Sequence, residues 1–227
     1  MIHVLLVEDD PEIARSIRYY LGNLNTYDVI WADSAEAALK KRWESFQVIL
    51  LDVMLPGMDG VSLCHELREY FKCPILFISC LDDTETVVKA LSMGGDDYLV
   101  KPFDNQILDA RIQANIRRVR MEHESEHPEK QKAGELILQP EGQFAIREGK
   151  KIEFSDLEYR LLSFLVDHIG QYFESQELYY ILWGNSSYGD TRTVAVHIFN
   201  LRQKLEPDPA HPKHIINVRG KGYTYVP

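Results

Sequence analysis

The sequence has few cysteines and no long apolar run. Its only cysteines, Cys64, Cys73 and Cys80, form neither a CxxC motif nor an even-numbered framework. They are typical of free thiols in a reducing cytoplasm and argue against a disulfide scaffold. The most apolar run, residues 48–55, is interrupted by Asp52 and is far shorter than the roughly 20 residues of a membrane helix. Since the first residues also lack a basic segment followed by an apolar one, we expect no secretion signal and no membrane partner.

The charge is uneven along the chain. The formal net charge of -10 would by itself disfavour binding to nucleic acid. Residues 192–227 reverse the sign, with six Lys or Arg against two Asp or Glu. A basic end on an acidic chain can form a phosphate-facing surface, although a short basic run is more often simply solvated.

The first half of the chain alternates apolar, β-rich segments with amphipathic ones. Strands are predicted at residues 4–7, 27–32, 48–51, 74–78 and 98–100, and helices at about 13–21, 34–43, 63–67, 84–93 and 106–118. Strands that alternate with helices in this way indicate an α/β fold. We therefore expect residues 1–118 to form a flavodoxin-like, doubly wound domain, with a five-stranded parallel sheet covered by helices on both faces.

The pattern changes after residue 118. Residues 119–133 lack apolar periodicity and are rich in Glu, Lys, Gln and Pro, which predicts a linker. Residues 134–227 favour an α+β domain, with strands at 135–138, 143–147 and 151–154, helices starting after Ser155, at Ser175 and near Thr193, and a final hairpin of 215–219 with 223–226. Ser155 and Glu158 have the spacing of a capping box at the start of the first of these helices.

Polar side chains follow the strands of the first half where each strand ends. Glu8 and Asp9 follow the first strand, Asp52 the third, Ser79 the fourth and Lys101 the fifth. Ligands of parallel sheets bind beyond these ends, so the carboxylates would converge if the first and third strands are neighbours. Clustered carboxylates need a cation, and Mg²⁺ accepts oxygen ligands together with phosphate. A carboxylate can form an aspartyl phosphate, which the metal, a hydroxyl and an ammonium group would stabilise. Each residue alone could be a cap or a surface group, but the set indicates phosphoryl transfer.

Residues 1–118 resemble the receiver domain of bacterial two-component response regulators. The matching segments are residues 7–10 (VEDD), 50–60 (LLDVMLPGMDG), 78–79 (IS) and 95–103 (GDDYLVKPF). The resemblance implies that Asp52 is the phosphoacceptor and that Mg²⁺ is held by Glu8, Asp9, Asp52 and the Met54 backbone carbonyl. It further implies that Ser79 and Tyr98 form a switch pair and that Lys101 contacts the phosphate, next to a cis Lys101–Pro102 bond. Asp10 is expected to support the site rather than to bind the metal, and Cys80 and Gly95 stand where the family more often has alanine.

The same resemblance implies partners for this domain. A sensor histidine kinase would supply the phosphoryl group, and phosphorylation would favour a symmetric homodimer. The dimer surface would be made by the fourth helix, the fifth strand and the fifth helix. Asp96 with Arg111, and Asp97 with Arg118, are candidate pairs across it, although ordinary surface charges are an equally good interpretation.

The helix predicted at residues 193–205 has two faces. Val194, Ile198, Leu201 and Leu205 recur at helical spacing and should face the core. The other face is expected to be exposed and able to enter the major groove; it carries Thr193, Val196, His197, Asn200 and Lys204. Asn can pair with adenine, and a Val or Thr methyl group can touch the thymine methyl. Phosphate contacts are expected mostly from Arg192, Arg202, Lys204, Arg219 and Lys221. A small amphipathic helix with an ordinary polar face is the alternative.

Residues 134–227 are similar along their whole length to the effector domain of OmpR/PhoB-type response regulators. Residues 155–162, 182–184, 192–198 and 218–223 carry the match. The resemblance implies a winged helix-turn-helix domain that binds double-stranded promoter DNA. The loop between Trp183 and Thr191 is a candidate for contact with RNA polymerase. Family members often have two arginines where this chain has Phe199 and Asn200, which lowers the expected affinity for phosphate.

Three other functions fit parts of the pattern. A hydrolase that works through an aspartyl phosphate would need a second acid two residues after the nucleophile, where this chain has Met54. A receiver that acts without DNA is disfavoured by the second half. A phosphorylation-independent DNA-binding regulator with a receiver-like dimerisation domain stays open. The favoured interpretation is a transcription regulator that is not an enzyme, apart from assisting its own phosphorylation and dephosphorylation.

Overall fold

The structure is a computed structural model that describes residues 1–124, 131–140, 142–183 and 191–227, without the side chains of 118–124 and 131. These residues divide into two compact units, one ending at Val119 and the other beginning at Arg120. None of the helices in the described ranges is long and apolar enough to cross a membrane.

The first unit is built on a parallel sheet with the strand order β2-β1-β3-β4-β5. Its strands are β1 (Ile2–Val7), β2 (Tyr27–Ala32), β3 (Val48–Leu51), β4 (Ile75–Ser79) and β5 (Asp97–Val100). Its helices are α1 (Pro11–Asn23), α2 (Ala35–Leu39), α3 (Gly60–Arg68), α4 (Thr84–Ser92) and α5 (Asn105–Glu124). Every residue of β3 and β4 is buried, as expected for strands covered on both faces. The predicted α/β fold is confirmed.

Short acidic side chains start three of these helices. Asp10 accepts hydrogen bonds from the backbone N–H groups of Glu12 and Ile13 at the start of α1. Asp59 does the same at α3, and Asp83 at α4. Such caps satisfy N–H groups that have no partner within the helix. The supporting role expected for Asp10 stays a prediction, although the cap shows that one of its oxygens is already hydrogen-bonded.

Two boundaries differ from the sequence-based expectation. Helix α2 ends at Leu39 instead of reaching Trp43, which lies in the following turn and is 82% exposed. Regular secondary structure extends into both ends of the predicted linker at 119–133. Helix α5 continues to Glu124, and a strand forms at Gln131–Ala133. That strand is made by pairing with the strand at Leu136–Gln139, which a pattern local to residues 119–133 cannot reveal. Residues 125–130 lie outside the described residues.

The second unit has a four-stranded antiparallel sheet, three described helices and a hairpin. The sheet has the order β6-β7-β8-β9, with β6 (Gln131–Ala133), β7 (Leu136–Gln139), β8 (Phe144–Arg147) and β9 (Lys150–Glu153). The helices are α6 (Asp156–Asp167), α7 (Ser175–Trp183) and α8 (Arg192–Leu205), and the hairpin is β10 (Ile215–Val218) with β11 (Gly222–Tyr225). The capping box of Ser155 and Glu158 is confirmed. This arrangement is the predicted winged helix-turn-helix fold.

The wing hairpin is anchored by a close backbone approach at Gly222. Phe173 and Tyr223 exchange two backbone hydrogen bonds of 2.9 and 2.8 Å. A Cβ atom at Gly222 would lie 2.0 Å from the Phe173 carbonyl oxygen, and the φ of Gly222 is +96°. Only glycine fits both demands. The turn that precedes Gly222 is therefore held against the loop before α7.

Gly95 fills a comparable role in the first unit. A Cβ atom there would lie 2.6 Å from Cε2 of Phe77 and 3.1 Å from the Ala90 carbonyl oxygen. Phe77 is fully buried, so its ring has little room to move aside. The large Phe77 side chain and the missing side chain at Gly95 are thus matched to each other.

We predict that Gly95→Ala lowers the free energy of unfolding by roughly 1–3 kcal/mol, because an extra carbon in a packed core forces its neighbours to shift. Urea denaturation of the full chain would measure this. Gly22→Ala in α1 is the control, since nothing lies within 4 Å of a new Cβ there; it should be neutral or stabilise by up to about 1 kcal/mol. Adding Phe77→Leu should recover much of the Gly95→Ala loss, and strictly additive effects would contradict the proposed contact.

Candidate functional site

Three carboxylates meet beyond the carboxyl ends of β1 and β3. Glu8, Asp9 and Asp52 each place a carboxylate oxygen within 4.8 Å of the others. They converge because β1 and β3 are parallel neighbours with Val7 opposite Leu51, so that the residues after each strand lie side by side. Glu8 and Asp52 are buried and Asp9 is exposed. The cluster opens to solvent on one side, where a cation could enter.

Lys101 lies between two of these acids. Its Nζ atom is 2.6 Å from Oε2 of Glu8 and 2.5 Å from Oδ2 of Asp52. The Lys101–Pro102 bond is cis, as predicted. Burial by itself would lower the pKa of Lys101, but the hydrogen bonds and charges of Asp52 and Glu8 outweigh it and raise that pKa. Lys101 therefore stays cationic in the crevice.

The effect of burial on the pKa of Glu8 is not fully offset by its neighbours, unlike that on Lys101. Burial raises the pKa of Glu8 above its ordinary value, although the hydrogen bond and charge of Lys101 pull it down. Burial is the largest cause of this shift, and the negative charge of Asp52 adds to it. A cation bound at this position would favour the ionised form of Glu8.

The ligand atoms fit a hard divalent cation. The cluster offers only carboxylate oxygens, which Mg²⁺ prefers over nitrogen or sulfur. The backbone N–H of Met54 donates to Oδ1 of Asp52 at 2.9 Å, which fixes the turn after β3. The role of the Met54 carbonyl as a further ligand stays a prediction. The Met54 side chain itself points to solvent and is 57% exposed.

Ser79 and Tyr98, the predicted switch pair, are both bound to Leu81. The Leu81 backbone N–H donates to Oγ of Ser79 at 3.4 Å, and the Tyr98 hydroxyl donates to the Leu81 carbonyl oxygen at 2.7 Å. Tyr98 is already turned inward, with 3% of its surface exposed and its ring against Phe77. The sequence did not predict a role for Leu81, because its backbone N–H and carbonyl groups make both hydrogen bonds and its apolar side chain takes no part in them.

The charged residues expected at a dimer surface have partners within the chain. Arg111 donates to both carboxylate oxygens of Asp97, at 2.7 and 2.8 Å. Asp96 binds the Arg68 guanidinium at 2.5 Å and the Ile75 backbone N–H at 2.8 Å. Within the chain, Arg111 therefore binds Asp97 and Arg68 binds Asp96. The two carboxylates have different partners because neighbouring residues of an extended chain point to opposite sides.

The proposed contacts between protomers stay predictions. They would have to form in addition to the pairs of Asp96 and Asp97 inside the chain, or in exchange for them. The Arg118 side chain lies outside the described residues.

Helix α8 buries more of its surface than predicted. The four apolar residues expected in the core are buried, but so are Thr193, Val196 and His197, which were expected to be exposed. The apolar side of a core-facing helix spans a wide arc, so flanking positions are covered too. For His197 the described residues supply part of that cover, since its ring centroid lies 6.0 Å from that of Trp183.

The exposed side of α8 carries residues that the sequence pattern did not single out. Ala195, Phe199 and Gln203 are exposed, and Phe199 shows 49% of its surface. Their spacing of four residues is the only sequence signal, and it becomes readable only once the buried side is known. Asn200 is half-buried beside this stripe.

Two of the five basic residues assigned to DNA are already engaged in the second unit. Arg202 donates twice to the Ile215 carbonyl oxygen, at 3.0 and 2.8 Å. Lys204 lies 2.6 Å from a carboxylate oxygen of the buried Glu158. Arg219 and Lys221 are exposed around the wing turn. Cations at the wing are therefore better placed for phosphate contacts than Arg202 and Lys204.

The loop proposed to contact RNA polymerase cannot be placed with the other site residues. Its residues 184–190 lie outside the described residues. Arg192, at the start of α8, is partly exposed.

We predict that Glu8→Gln gains stability relative to the parent chain as the pH rises from 4 to 7. A pKa raised above 4.5 means that the folded state favours the protonated carboxyl. This contribution is present below the unfolded pKa and is lost as the pH rises through the folded pKa, whereas Gln stays neutral. Urea denaturation with EDTA at both pH values would measure the difference. Glu66→Gln, an exposed acid of α3, is the control; a gain for Glu8→Gln that did not change with pH would contradict the assignment.

Comparisons with known proteins agree with this geometry. Residues 4–113 match the family described as "Response regulator receiver domain", and residues 149–225 match "Transcriptional regulatory protein, C terminal". The Bacillus subtilis (strain 168) protein named "Uncharacterized transcriptional regulatory protein YrkP" is 36% identical over 225 residues, covering 98% of this chain and 97% of that protein.

Solved structures that cover both units are similar as well. The response regulator DrrB of Thermotoga maritima, described as an OmpR/PhoB homologue, is 28% identical, with 100% of both chains covered and a TM-score of 0.52. A cysteine-to-serine mutant of RitR is 25% identical, with 99% of both chains covered and a TM-score of 0.77. With a receiver fold, a winged-helix fold and a relative that matches nearly end to end, the chain belongs to the OmpR/PhoB family of two-component response regulators that act in transcription.

Proposed function

We propose that phosphorylation of Asp52 by a sensor histidine kinase makes this chain dimerise and bind double-stranded promoter DNA. The observation that carries the proposal is the convergence of Glu8, Asp9 and Asp52 around the Lys101 ammonium group. Transfer from a kinase and binding to promoters both belong to the cytoplasm, and we place the protein there.

The crevice supplies what an aspartyl phosphorylation needs. An oxygen of Asp52 attacks the phosphorus of a phosphohistidine, the P–N bond breaks, and the imidazole leaves with the bonding electrons. Mg²⁺ held by Glu8, Asp9, Asp52 and the Met54 carbonyl would supply positive charge for the phosphoryl oxygens. Lys101 is bound to Asp52, and its N–H groups can donate hydrogen bonds to the new phosphoryl group instead.

The change at Asp52 has a path to the surface of the first unit. A phosphoryl oxygen that binds the Ser79 hydroxyl would change the hydrogen bond between Ser79 and the Leu81 backbone. Because Tyr98 is bound to the same Leu81, its hydroxyl must follow. Tyr98 belongs to β5, and β5 with α4 and α5 forms the proposed dimer surface.

The second unit would bind DNA through the wing and α8. Exposed Arg219 and Lys221 are suited to phosphate, and the half-buried Asn200 would contact a base once α8 enters the groove. Contacts by Thr193, Val196 and His197 would require these side chains to become exposed.

We predict that acetyl phosphate with Mg²⁺ adds one phosphoryl group to Asp52 and raises the dimer fraction, because charge at Asp52 biases the α4, β5 and α5 surface. Intact-mass spectrometry and analytical ultracentrifugation would measure both effects. Asp52→Asn should remain unlabelled and monomeric. Asp59→Asn is the matched control, since Asn also caps helices and Asp59 caps α3. Full labelling of Asp52→Asn, or a labelled protein that stays monomeric, would contradict the proposal.

We predict that Asn200→Ala and Lys221→Ala weaken DNA binding in different ways. The first should cost roughly 1–3 kcal/mol at one base pair only, because it removes a base contact. The second should weaken all sequences equally and lower the slope of log affinity against log salt by about 1, because it removes a phosphate contact. Fluorescence anisotropy on fragments retained by the purified protein would test this, with the exposed Lys150→Ala of β9 as the control. Equal losses for Asn200→Ala on every sequence would show that it does not read a base.

A further inference from the structure

Trp31 contacts the backbone of the acidic crevice from the edge of the sheet. It lies in β2, which is the outer strand beside β1. Its indole Nε1–H donates to the backbone carbonyl oxygen of Glu8 at 2.8 Å. Glu8 is the first residue after β1, so this bond reaches past the end of the regular ladder.

The accepting carbonyl belongs to the peptide group that joins Glu8 to Asp9. A peptide group is planar, so fixing its oxygen also fixes the N–H of Asp9 and the direction in which the chain continues. The N–H of Glu8 donates to the Ala32 carbonyl oxygen at 3.1 Å. Strand β2 therefore holds the backbone of Glu8 on both sides, through Ala32 and Trp31.

The indole ring is itself held in place. Trp31 is half-buried and packs against the core of the first unit. The Arg18 guanidinium of α1 lies 6.0 Å from the ring centroid. A donor fixed in this way can hold a peptide group without moving with it.

We propose that Trp31 is a positioning residue for the cation site, because its indole N–H sets the peptide that directs the Glu8 and Asp9 carboxylates. The inference rests on the proposed site for a divalent cation. Trp31 carries no charge, and its indole contact is with the backbone of Glu8 instead of a ligand oxygen. Its loss should therefore weaken cation binding and leave the fold intact.

The experiment titrates the full-length protein with Mn²⁺, an oxygen-preferring divalent probe whose free form is measured by electron paramagnetic resonance. Trp31→Phe removes the donor. Replacing Trp31 with 3-benzothienylalanine removes only the N–H and keeps a ring of nearly the same shape. Both should raise the Mn²⁺ dissociation constant about three- to tenfold. Residues that hydrogen-bond a metal ligand usually change metal affinity by about tenfold or more, and Trp31 contacts only the backbone.

Two controls separate this inference from the proposed function. Trp43→Phe, at an 82% exposed position, should leave the dissociation constant unchanged. Asp52→Asn should abolish most of the binding. If the parent chain does not bind Mn²⁺, or if Asp52→Asn binds it as well as the parent does, the proposed cation site itself is wrong.

The remaining outcomes decide the role of Trp31. Normal binding by both Trp31 variants, beside a clear loss for Asp52→Asn, would overturn the inference alone. A loss for Trp31→Phe with normal binding for the benzothienyl variant would assign the effect to ring packing and also overturn it. If Trp31→Phe fails to fold, judged by its unfolding curve in EDTA, the benzothienyl variant decides by itself.

Discussion

The burial of two carboxylates around a single ammonium group shapes the crevice of the first unit. Glu8 and Asp52 are buried side by side, and one ammonium group lies between them at 2.6 and 2.5 Å. Burial alone would lower the pKa of Lys101, yet Lys101 remains cationic because both acids bind it. The crevice therefore has more negative than positive charge before anything binds. In the proposed mechanism, a divalent cation would reduce this excess, and a phosphoryl group on Asp52 would give Lys101 a further acceptor.

The residues around the crevice could be predicted because they stand at strand ends. Residues that follow parallel strands reach the same edge, so the positions of Glu8, Asp52 and Lys101 followed from the strand pattern once the strand order was assumed. That order is set by pairing between segments far apart in the chain. The partners that Asp96 and Asp97 have within the chain could not be predicted for the same reason. Arg68 and Arg111 reach them from helices α3 and α5, at distances in sequence that carry no periodic signal.

Helix α8 shows a different limit of sequence patterns. Its helical period correctly placed Val194, Ile198, Leu201 and Leu205 in the core. The width of the buried side depends on what packs beside it, and Trp183 of α7 extends it as far as His197. Polar side chains can therefore be covered without any change in the pattern. The sequence pattern also gave no indication of the role of Trp31. A tryptophan in a strand is expected to pack, and nothing in the sequence indicates its hydrogen bond to the backbone at the end of another strand.

Basic residues in a sequence do not all remain available to DNA. The charge of Lys204 is paired with Glu158, and two N–H donors of Arg202 are committed to the Ile215 carbonyl oxygen, which leaves Arg202 charged but restricts its reach. With Phe199 and Asn200 where relatives often have arginines, few cations are left for phosphate. Electrostatic affinity grows with the number of phosphates neutralised, so one copy of the second unit should bind weakly. Two copies joined through their receiver domains combine their contacts at a high effective concentration. In the proposed mechanism, a weak individual interface is what makes DNA binding depend on dimerisation, and through it on the charge at Asp52.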